Sequence, residues 1–146
     1  MSLGVLSWNV RGLNNPARRS SIRLFMQACN AALVCLQESK LDSVAASLVC
    51  NTLGPGFGGF EALPAVGTRG GILMAWKPDV LRVMVVHRGK FSITANVLSL
   101  VDGKAWMVSS VYGPHAVDDK VRFLQEIELI GQQVQHPWII NGDFNH

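Results

Sequence analysis

Polar side chains follow four short apolar runs of this sequence, at the points where buried strands would end. They are Asn9, Glu38, Tyr112, Asp143 and Asn145. In layered α/β folds, ligands bind where strands end. A carboxylate at the end of a buried strand costs free energy unless it is paired or binds a cation. The pattern therefore predicts one polar site built from four separate parts of the chain.

Asp143 and Asn145 are two residues apart, so in an extended segment their side chains would point the same way. Asp143 could accept a proton from an attacking water, and Asn145 could donate to the oxygen charge that builds on phosphorus. The alternative for this pair is an Asx-turn and its cap. Gly142, just before them, is expected to allow a sharp turn where the strand ends.

Glu38 is the best candidate for a metal ligand. Mg²⁺ prefers oxygen ligands and commonly takes one or two carboxylates together with waters and phosphate oxygens. Asn9 could orient Glu38 or coordinate through water, and Tyr112 could hold a phosphate oxygen through its hydroxyl. The alternative for Glu38 is a solvated acid that begins a loop. Asn9 could instead be a turn residue, and Tyr112 an amphipathic tyrosine at a sheet edge.

Arginines cluster in the first part of the chain, at Arg11, Arg18, Arg19 and Arg23. They could meet the phosphates of a nucleic-acid backbone. The alternative for the last three is a solvated helix face. Arg11 lies two residues beyond Asn9, so we expect it at the site.

Local signals place these residues on strands and helices. Asn15 and Pro16 predict a helix N-cap and first helical position, and an apolar face at i, i+3, i+4 and i+7 starts from Ile22. A strand, this helix and a second apolar strand predict a βαβ-like start. Asp102 and Gly103 between two apolar runs predict a hairpin. Predicted strands cover residues 3–8, 31–36, 57–63, 71–76, 81–87, 91–100, 105–112 and a last one from 138, and predicted helices begin near residues 16, 42 and 118.

The length suits one domain over residues 1–146. Predicted helices at both ends with a meander of strands between them favour an α/β sandwich of packed sheets flanked by helices. Hydrophobic residues make up 49% and charged residues 16%, which is enough apolar material for a core and too little charge for a disordered chain. The net charge of +3 mildly favours a polyanionic partner. Three cysteines without a CxxC pair predict reduced thiols in an intracellular protein. We find no membrane-spanning run and no secretory signal.

Five motifs occur in a fixed order: SWNVRGLN from Ser7, LQESK from Leu36, GGILMAW from Gly70, VYGP from Val111 and GDFN from Gly142. In order and rough spacing they resemble the first half of the endonuclease/exonuclease/phosphatase superfamily. That superfamily includes exonuclease III-like apurinic endonucleases, DNase I and inositol polyphosphate phosphatases. The wording is most similar to the endonuclease part of non-LTR, LINE-type retrotransposons of the style common in plants.

The resemblance implies the N-terminal portion of a four-layer α/β sandwich with a cleft that depends on Mg²⁺, or on Mn²⁺. It implies that Glu38 binds the metal and that Asn9 supports the metal and phosphate site. Tyr112 would contact the scissile phosphate, Asp143 would orient or deprotonate the water, and Asn145 would stabilise the transition state. The implied reaction is phosphodiester hydrolysis that leaves a 3′-hydroxyl nick in DNA.

The resemblance also implies DNA and the reverse transcriptase part of a full-length element as partners, and, from the DNA substrate, a nuclear location. The family pattern continues past GDFN with a further Asp and a closing Asp-His pair, which this sequence lacks. We therefore expect a chain truncated after that motif, with weak or no activity and an unpaired strand edge. Two rivals stay open: a non-catalytic nucleic-acid-binding remnant that uses the basic helix, and a phosphatase-type member that acts on a phosphorylated small molecule.

Overall fold

The computed structural model describes residues 4–66 and 70–144 and contains eight strands and three helices in those ranges. The strands are β1 (Gly4–Asn9), β2 (Ala31–Gln37), β3 (Gly59–Leu63), β4 (Ile72–Trp76), β5 (Leu81–Arg88), β6 (Ser92–Ser99), β7 (Ala105–Tyr112) and β8 (Trp138–Asp143). The helices are α1 (Pro16–Ala28), α2 (Ala46–Leu53) and α3 (Val117–Gly131).

The strands form two mixed sheets of four. Sheet 1 has the order β1-β2-β4-β3 and sheet 2 the order β5-β6-β7-β8. The β1–β2 and β7–β8 pairs are parallel and the other pairs antiparallel. The predicted βαβ start is confirmed. Among the described residues, β1 and β8 are edge strands, and they contact each other across the two sheets.

Three apolar layers hold four structural layers together. Helices α1 and α2 cover the outer face of sheet 1, where Ile22 and Val49 join its buried residues. The two sheets pack face to face through residues such as Leu33 and Val108. Helix α3 covers sheet 2 through Phe123. The inner strands β2, β4, β6 and β7 are mostly buried on both faces, as their near-continuous apolar sequences predict, whereas the edge strand β5 has exposed residues at every second position. The predicted four-layer α/β sandwich is confirmed.

Helix α1 begins as its sequence predicts. The Asn15 Oδ1 atom accepts a hydrogen bond from the Ala17 backbone N–H at 2.8 Å, and Pro16 is the first helical residue. On the predicted apolar face, Ile22 and Met26 are buried. These contacts fix α1 beside the end of β1, where the first polar motif lies.

Two local predictions fare differently. Gly103 has a φ of +74° in the turn between β6 and β7, so the predicted Asp-Gly hairpin is confirmed. Helix α2 begins at Ala46 rather than near Asp42, and its N-cap, Ala45, makes no side-chain capping bond. The predicted start was four residues early because nothing in the sequence caps this helix.

The prediction of a sharp turn at Gly142 is wrong. Strand β8 continues to Asp143, and Gly142 lies opposite Val111 of β7 with a φ of +130°. A Cβ atom at Gly142 would come within 2.0 Å of the Val111 carbonyl oxygen. Glycine is required here because β7 and β8 approach closely, and not because the chain reverses. None of the three helices described combines the length and apolarity that a bilayer crossing requires.

Candidate active site

The ends of β1 and β8 meet at one place, through Asn9 and Asp143. The Asn9 Nδ2 atom donates a hydrogen bond to Asp143 Oδ2 at 3.3 Å, across 134 residues of sequence. The two side chains belong to different sheets, so this contact closes the edge of the sandwich at the strand ends. An open groove surrounds the pair. It is lined by Ser7, Asn9, Arg11, Gln37, Gly142, Asp143 and Phe144.

The Asn9 amide is held at both of its polar atoms. Its Oδ1 atom accepts a hydrogen bond from the Arg11 backbone N–H at 3.1 Å, while Nδ2 faces Asp143. Because a backbone N–H can only donate, this contact assigns the oxygen and nitrogen of the amide. Among the described residues Asn9 makes no hydrogen bond to Glu38. Its direct partner is therefore Asp143, rather than the predicted Glu38.

Glu38 lies one residue beyond the end of β2, at the same end of sheet 1 as Asn9. Residues Asn9 and Gln37 are partners in the parallel β1–β2 register, which places Glu38 beside the β1 loop. Its carboxylate is 21% exposed and lies 3.5 Å from the Lys40 ammonium. Glu38 is thus a partly buried, ion-paired acid just beyond β2, and its role as a metal ligand stays a prediction.

The backbone around Glu38 is strained and tightly held. Arg11, Glu38 and Lys40 have φ values of +53°, +60° and +58°, in the left-handed region that costs a non-glycine residue about 1 kcal/mol or more. Hydrogen bonds between neighbouring loops maintain this conformation. The Gly12 N–H donates to the Glu38 carbonyl at 2.7 Å, and the Lys40 N–H donates to the Gly70 carbonyl at 2.9 Å. Such strain, when the surroundings impose it, is typical of functional sites.

Three of the arginines on α1 donate hydrogen bonds to backbone carbonyls. Arg18 and Arg19 each donate through Nη1 at 2.6 Å, to the carbonyls of Val10 and Leu13. These bonds clamp both ends of the loop that follows β1. Arg23 donates to the Cys50 carbonyl at 3.1 Å. All three side chains therefore have a structural role, and Arg18 remains exposed on the helix face.

Arg11 behaves differently from the other arginines. It is exposed, it lines the groove, and its guanidinium has no ion pair or hydrogen bond within the described part of the chain. Its backbone is left-handed, with a φ of +53°, and its N–H donates to Asn9 Oδ1, so the Arg11 backbone is held next to Asn9. Arg11 thus lines the same groove as Asn9 and Asp143, and its predicted role in binding substrate stays a prediction.

Tyr112 is adjacent to Asp143 but lines a different cavity. The two residues are partners in the β7–β8 register, and the Gly113 N–H donates to the Asp143 carbonyl at 2.6 Å. Tyr112 is half-buried and packs against the apolar layer between the sheets. It lines an apolar cavity together with Ile72 and Phe91. The fifth predicted residue, Asn145, lies outside the described residues.

Sequence reasoning missed Gln37, which is 1% exposed and lines the groove. Its Nε2 atom lies 3.1 Å from Ser7 Oγ and 3.0 Å from Ser110 Oγ. The alternation of β2 contained the signal. Leu33, Cys35 and Gln37 occupy one face of the strand, and a glutamine in line with two apolar residues indicates a buried amide.

The site offers oxygen donors: the carboxylates of Glu38 and Asp143 and the amide oxygen of Asn9. No group of three or more His, Cys, Asp or Glu side chains that could hold a metal occurs among residues 4–66 and 70–144. Mg²⁺ needs only one or two carboxylates when waters and phosphate oxygens complete its shell. The partly buried Glu38 carboxylate, with an ammonium 3.5 Å away, already attracts a cation. These residues therefore fit a water-rich Mg²⁺ site and do not fit a Zn²⁺ site.

Cys35 lies in the layer below the groove and is fully buried. Burial raises the pKa of its thiol to about 12. The thiol therefore stays protonated at neutral pH and is no nucleophile. All three cysteines are free, and Cys29 and Cys50 are half-buried.

The sequence model of the Endonuclease/Exonuclease/phosphatase family matches residues 6–146. The chain belongs to this family. Its members are hydrolases of phosphate esters and include nucleases and phosphatases. Comparison with curated protein sequences found no match.

Solved structures share the fold at low sequence identity. A mannosyl-6-phosphatase of Bacteroides thetaiotaomicron has a TM-score of 0.67 and 16% identity, over 99% of this chain and 66% of that one. D. rerio TDP2, complexed with a single-strand DNA product, has a TM-score of 0.68 and 16% identity, over 99% and 61%. An AP endonuclease of Leishmania major has a TM-score of 0.67 and 17% identity, over 94% and 53%. The chain thus spans just under two thirds, or less, of the length of these three proteins.

Proposed function

We propose that this protein is a Mg²⁺-dependent phosphodiesterase that nicks DNA, an endonuclease of the LINE retrotransposon type. The observation that carries the proposal is the Asn9–Asp143 hydrogen bond, which joins the two sheets beside Glu38 and the exposed Arg11. Asp143 and Arg11 supply a hydrogen-bonded carboxylate and a cation in one groove, and Glu38 supplies a second carboxylate at the neighbouring end of β2. These are the groups that phosphodiester hydrolysis needs.

The metal, Mg²⁺ or Mn²⁺, would be held by Glu38 with support from the amide oxygen of Asn9. When bound, it neutralises charge on the phosphate oxygens and makes phosphorus more electrophilic. The loop hydrogen bonds around Glu38 keep its carboxylate in place, which matters because phosphoryl transfer depends mainly on positioning and charge stabilisation.

The other residues act on water and phosphate. Asp143 orients and deprotonates the attacking water, and the hydrogen bond from Asn9 fixes the plane of its carboxylate. Arg11 binds a phosphate oxygen through its guanidinium. Tyr112 contacts the scissile phosphate, and Asn145 stabilises the charge of the transition state. These last two roles rest on the family resemblance of the motifs VYGP and GDFN.

We favour DNA as the substrate because of the amino-acid sequences of the motifs and the net positive charge of the chain. SWNVRGLN, LQESK and GDFN are most similar to DNA-cutting members of the family, and the net charge is +3. The retrotransposon origin rests on the same resemblance. A reverse transcriptase partner and a nuclear location would follow from that origin.

Two alternative functions differ from this proposal, one in its substrate and the other in having no catalytic activity. A phosphatase-type member would release phosphate from a phosphorylated small molecule, and the fold is shared with such an enzyme. A non-catalytic remnant would bind nucleic acid through α1. Arg18, Arg19 and Arg23 already donate to backbone carbonyls, which weakens that second possibility.

The test is nicking of supercoiled plasmid in Mg²⁺. Since the sequence lacks the family's further Asp and closing Asp-His pair, we expect only weak nicking by the protein. That nicking should be lost with EDTA and in Glu38→Ala and Asp143→Ala. Glu61→Gln is the matched control, because Glu61 is a partly exposed acid that is ion-paired to Arg88 outside the groove. Nicking that survives both site substitutions would overturn the proposal.

Two further arms separate the rivals. Salt-sensitive DNA binding without cleavage, unchanged in Glu38→Ala, would favour the remnant. Hydrolysis of p-nitrophenyl phosphate in preference to bis(p-nitrophenyl) phosphate would favour the phosphatase.

A further inference from the structure

Gln37 is a buried amide in a layer that is otherwise mainly apolar. It is 1% exposed, it directly precedes Glu38, and it is the register partner of Asn9. A buried amide costs free energy unless it is hydrogen-bonded, so its partners constrain where it can lie. Gln37 therefore links the geometry of the candidate ligand Glu38 to the residues that surround it.

Its hydrogen bonds join both sheets. The Nε2 atom lies within hydrogen-bond distance of Ser7 Oγ on β1 and of Ser110 Oγ on β7, at 3.1 and 3.0 Å. It also lies 3.3 Å from the Cys35 carbonyl on its own strand. Gln37 thus connects the central strand of sheet 1 to its edge strand and to sheet 2.

Through Ser110, Gln37 contacts strand β7, which carries Tyr112 and pairs with β8, the strand that carries Asp143. Ser110 lies two residues before Tyr112 and is the register partner of Asn141, which lies two residues before Asp143. Alternation in a strand puts residues two apart on one face. The hydroxyl that meets Gln37 is therefore on the same face as Tyr112 and Asp143.

We propose that Gln37 is a positioning residue, which sets the distance between the β2 end that carries Glu38 and the β7–β8 edge that carries Asp143. Apolar contacts depend little on direction, whereas hydrogen bonds require a particular distance and angle and so favour one arrangement of the two sheets. This inference rests on the proposed Mg²⁺-dependent function, since it assigns Gln37 a role in shaping that site.

The test compares substitutions on the two faces of β7. Gln37→Leu removes the amide and keeps a similar volume, and Ser110→Ala removes its partner in sheet 2. Ser109→Ala is the matched control. Ser109 is equally buried, but its hydroxyl bonds Thr94 and Trp138 on the opposite face.

The first readout is Mg²⁺ affinity by calorimetry, with each variant held well below its own unfolding temperature. We expect Gln37→Leu to bind Mg²⁺ at least about tenfold more weakly, as substitutions behind metal ligands do. Ser110→Ala should weaken binding in the same direction. Ser109→Ala should lower the unfolding temperature and leave the affinity unchanged. Mg²⁺ affinity within twofold of the parent in both Gln37→Leu and Ser110→Ala would overturn the proposal.

The second readout does not need the metal. The amide protons of Gly12 and Gly113, which donate to the carbonyls of Glu38 and Asp143, should exchange faster in Gln37→Leu. The amide proton of Gly103, in the distant β6–β7 turn, should exchange at the parent rate. If the parent itself binds no Mg²⁺, the proposed metal site fails while this exchange experiment still decides the role of Gln37. Unchanged exchange at Gly12 and Gly113 would overturn that role.

Discussion

The Asn9 amide and the Asp143 carboxylate, 134 residues apart, form a 3.3 Å hydrogen bond between the edge strands of two different sheets. The Asn9 Oδ1 atom also accepts a hydrogen bond from the Arg11 N–H. This second bond orients the amide independently of Asp143. In the proposed mechanism the Asn9–Asp143 bond holds the general base.

Removing the Asn9–Asp143 hydrogen bond should lower the nicking rate strongly and the unfolding temperature only slightly. In Asn9→Ala the nicking rate should fall about 100-fold, the loss typical of one oriented polar group in a site. Asn9→Asp should lose more, because two carboxylates would then face each other. Nicking rates and thermal unfolding of both variants check this. Asn51→Ala, an exposed position on α2, is the control, and a comparable rate loss there would contradict the assignment.

Gly142 should tolerate no side chain. In Gly142→Ala the new Cβ would lie 2.0 Å from the Val111 carbonyl, at a φ of +130°. We expect a loss of unfolding free energy of about 2 kcal/mol or more, from backbone strain and the clash together. Urea denaturation measures it. Gly103→Ala is the matched control, since its φ is +74° but nothing lies within 4 Å of the new atom. Its loss should be about 1 kcal/mol, and equal losses would refute the close-approach explanation.

Glu126 ties α3 to the turn between β5 and β6. Its carboxylate accepts hydrogen bonds from the backbone N–H groups of Lys90, at 2.8 Å, and Phe91, and from the Ser92 hydroxyl. Glu126→Ala should cost about 2 kcal/mol of stability, because charge-assisted hydrogen bonds are lost and backbone donors are left unpaired. Chemical denaturation of Glu126→Ala and of Glu128→Ala, an exposed acid on the same helix, checks it. A loss of equal size in both would show that the carboxylate has no special role.

Cys35 should be inert and should make stability fall in alkaline solution. Burial raises its pKa to about 12, so at pH 8 a thiol reagent should label Cys29 and Cys50 well before Cys35. The folded-state pKa of Cys35 lies above the usual 9.0, so between about pH 9 and 12 the unfolded chain loses the thiol proton more readily than the folded one. The buried neutral thiol therefore contributes its full stability below about pH 9, and this contribution is lost as pH rises toward 12. Unfolding measured from pH 8 to 11 should show a steeper decline for the parent than for Cys35→Ala. Parallel declines would contradict the assignment.

Local signals predicted much of the fold. The Asn15-Pro16 cap, the Asp102-Gly103 turn and the apolar strands depend on neighbouring residues, and each appears in the structure as expected. The same strands predicted that Asn9 and Asp143 would converge. Strand ends collect at one edge of a layered fold, so a short sequence pattern can indicate a long-range contact.

The contacts that the sequence did not reveal depend on the packing of distant elements. Arg18 and Arg19 hold the loop after β1 because α1 lies beside it, and no local pattern separates this from a solvated arginine. The pairing of Gln37 with Ser110 depends on how two sheets face each other. The placement of Tyr112 in a neighbouring cavity, rather than in the groove, depends on the same packing.

The most direct test of the central claim is Mg²⁺ binding by titration calorimetry, on the parent protein and on Glu38→Ala, with Glu61→Gln as the control. If the ends of β1, β2 and β8 form one metal-dependent site, the parent and Glu61→Gln should bind Mg²⁺ with the same affinity, and Glu38→Ala should not bind it. Equal binding by Glu38→Ala and the parent would contradict a metal site at Glu38.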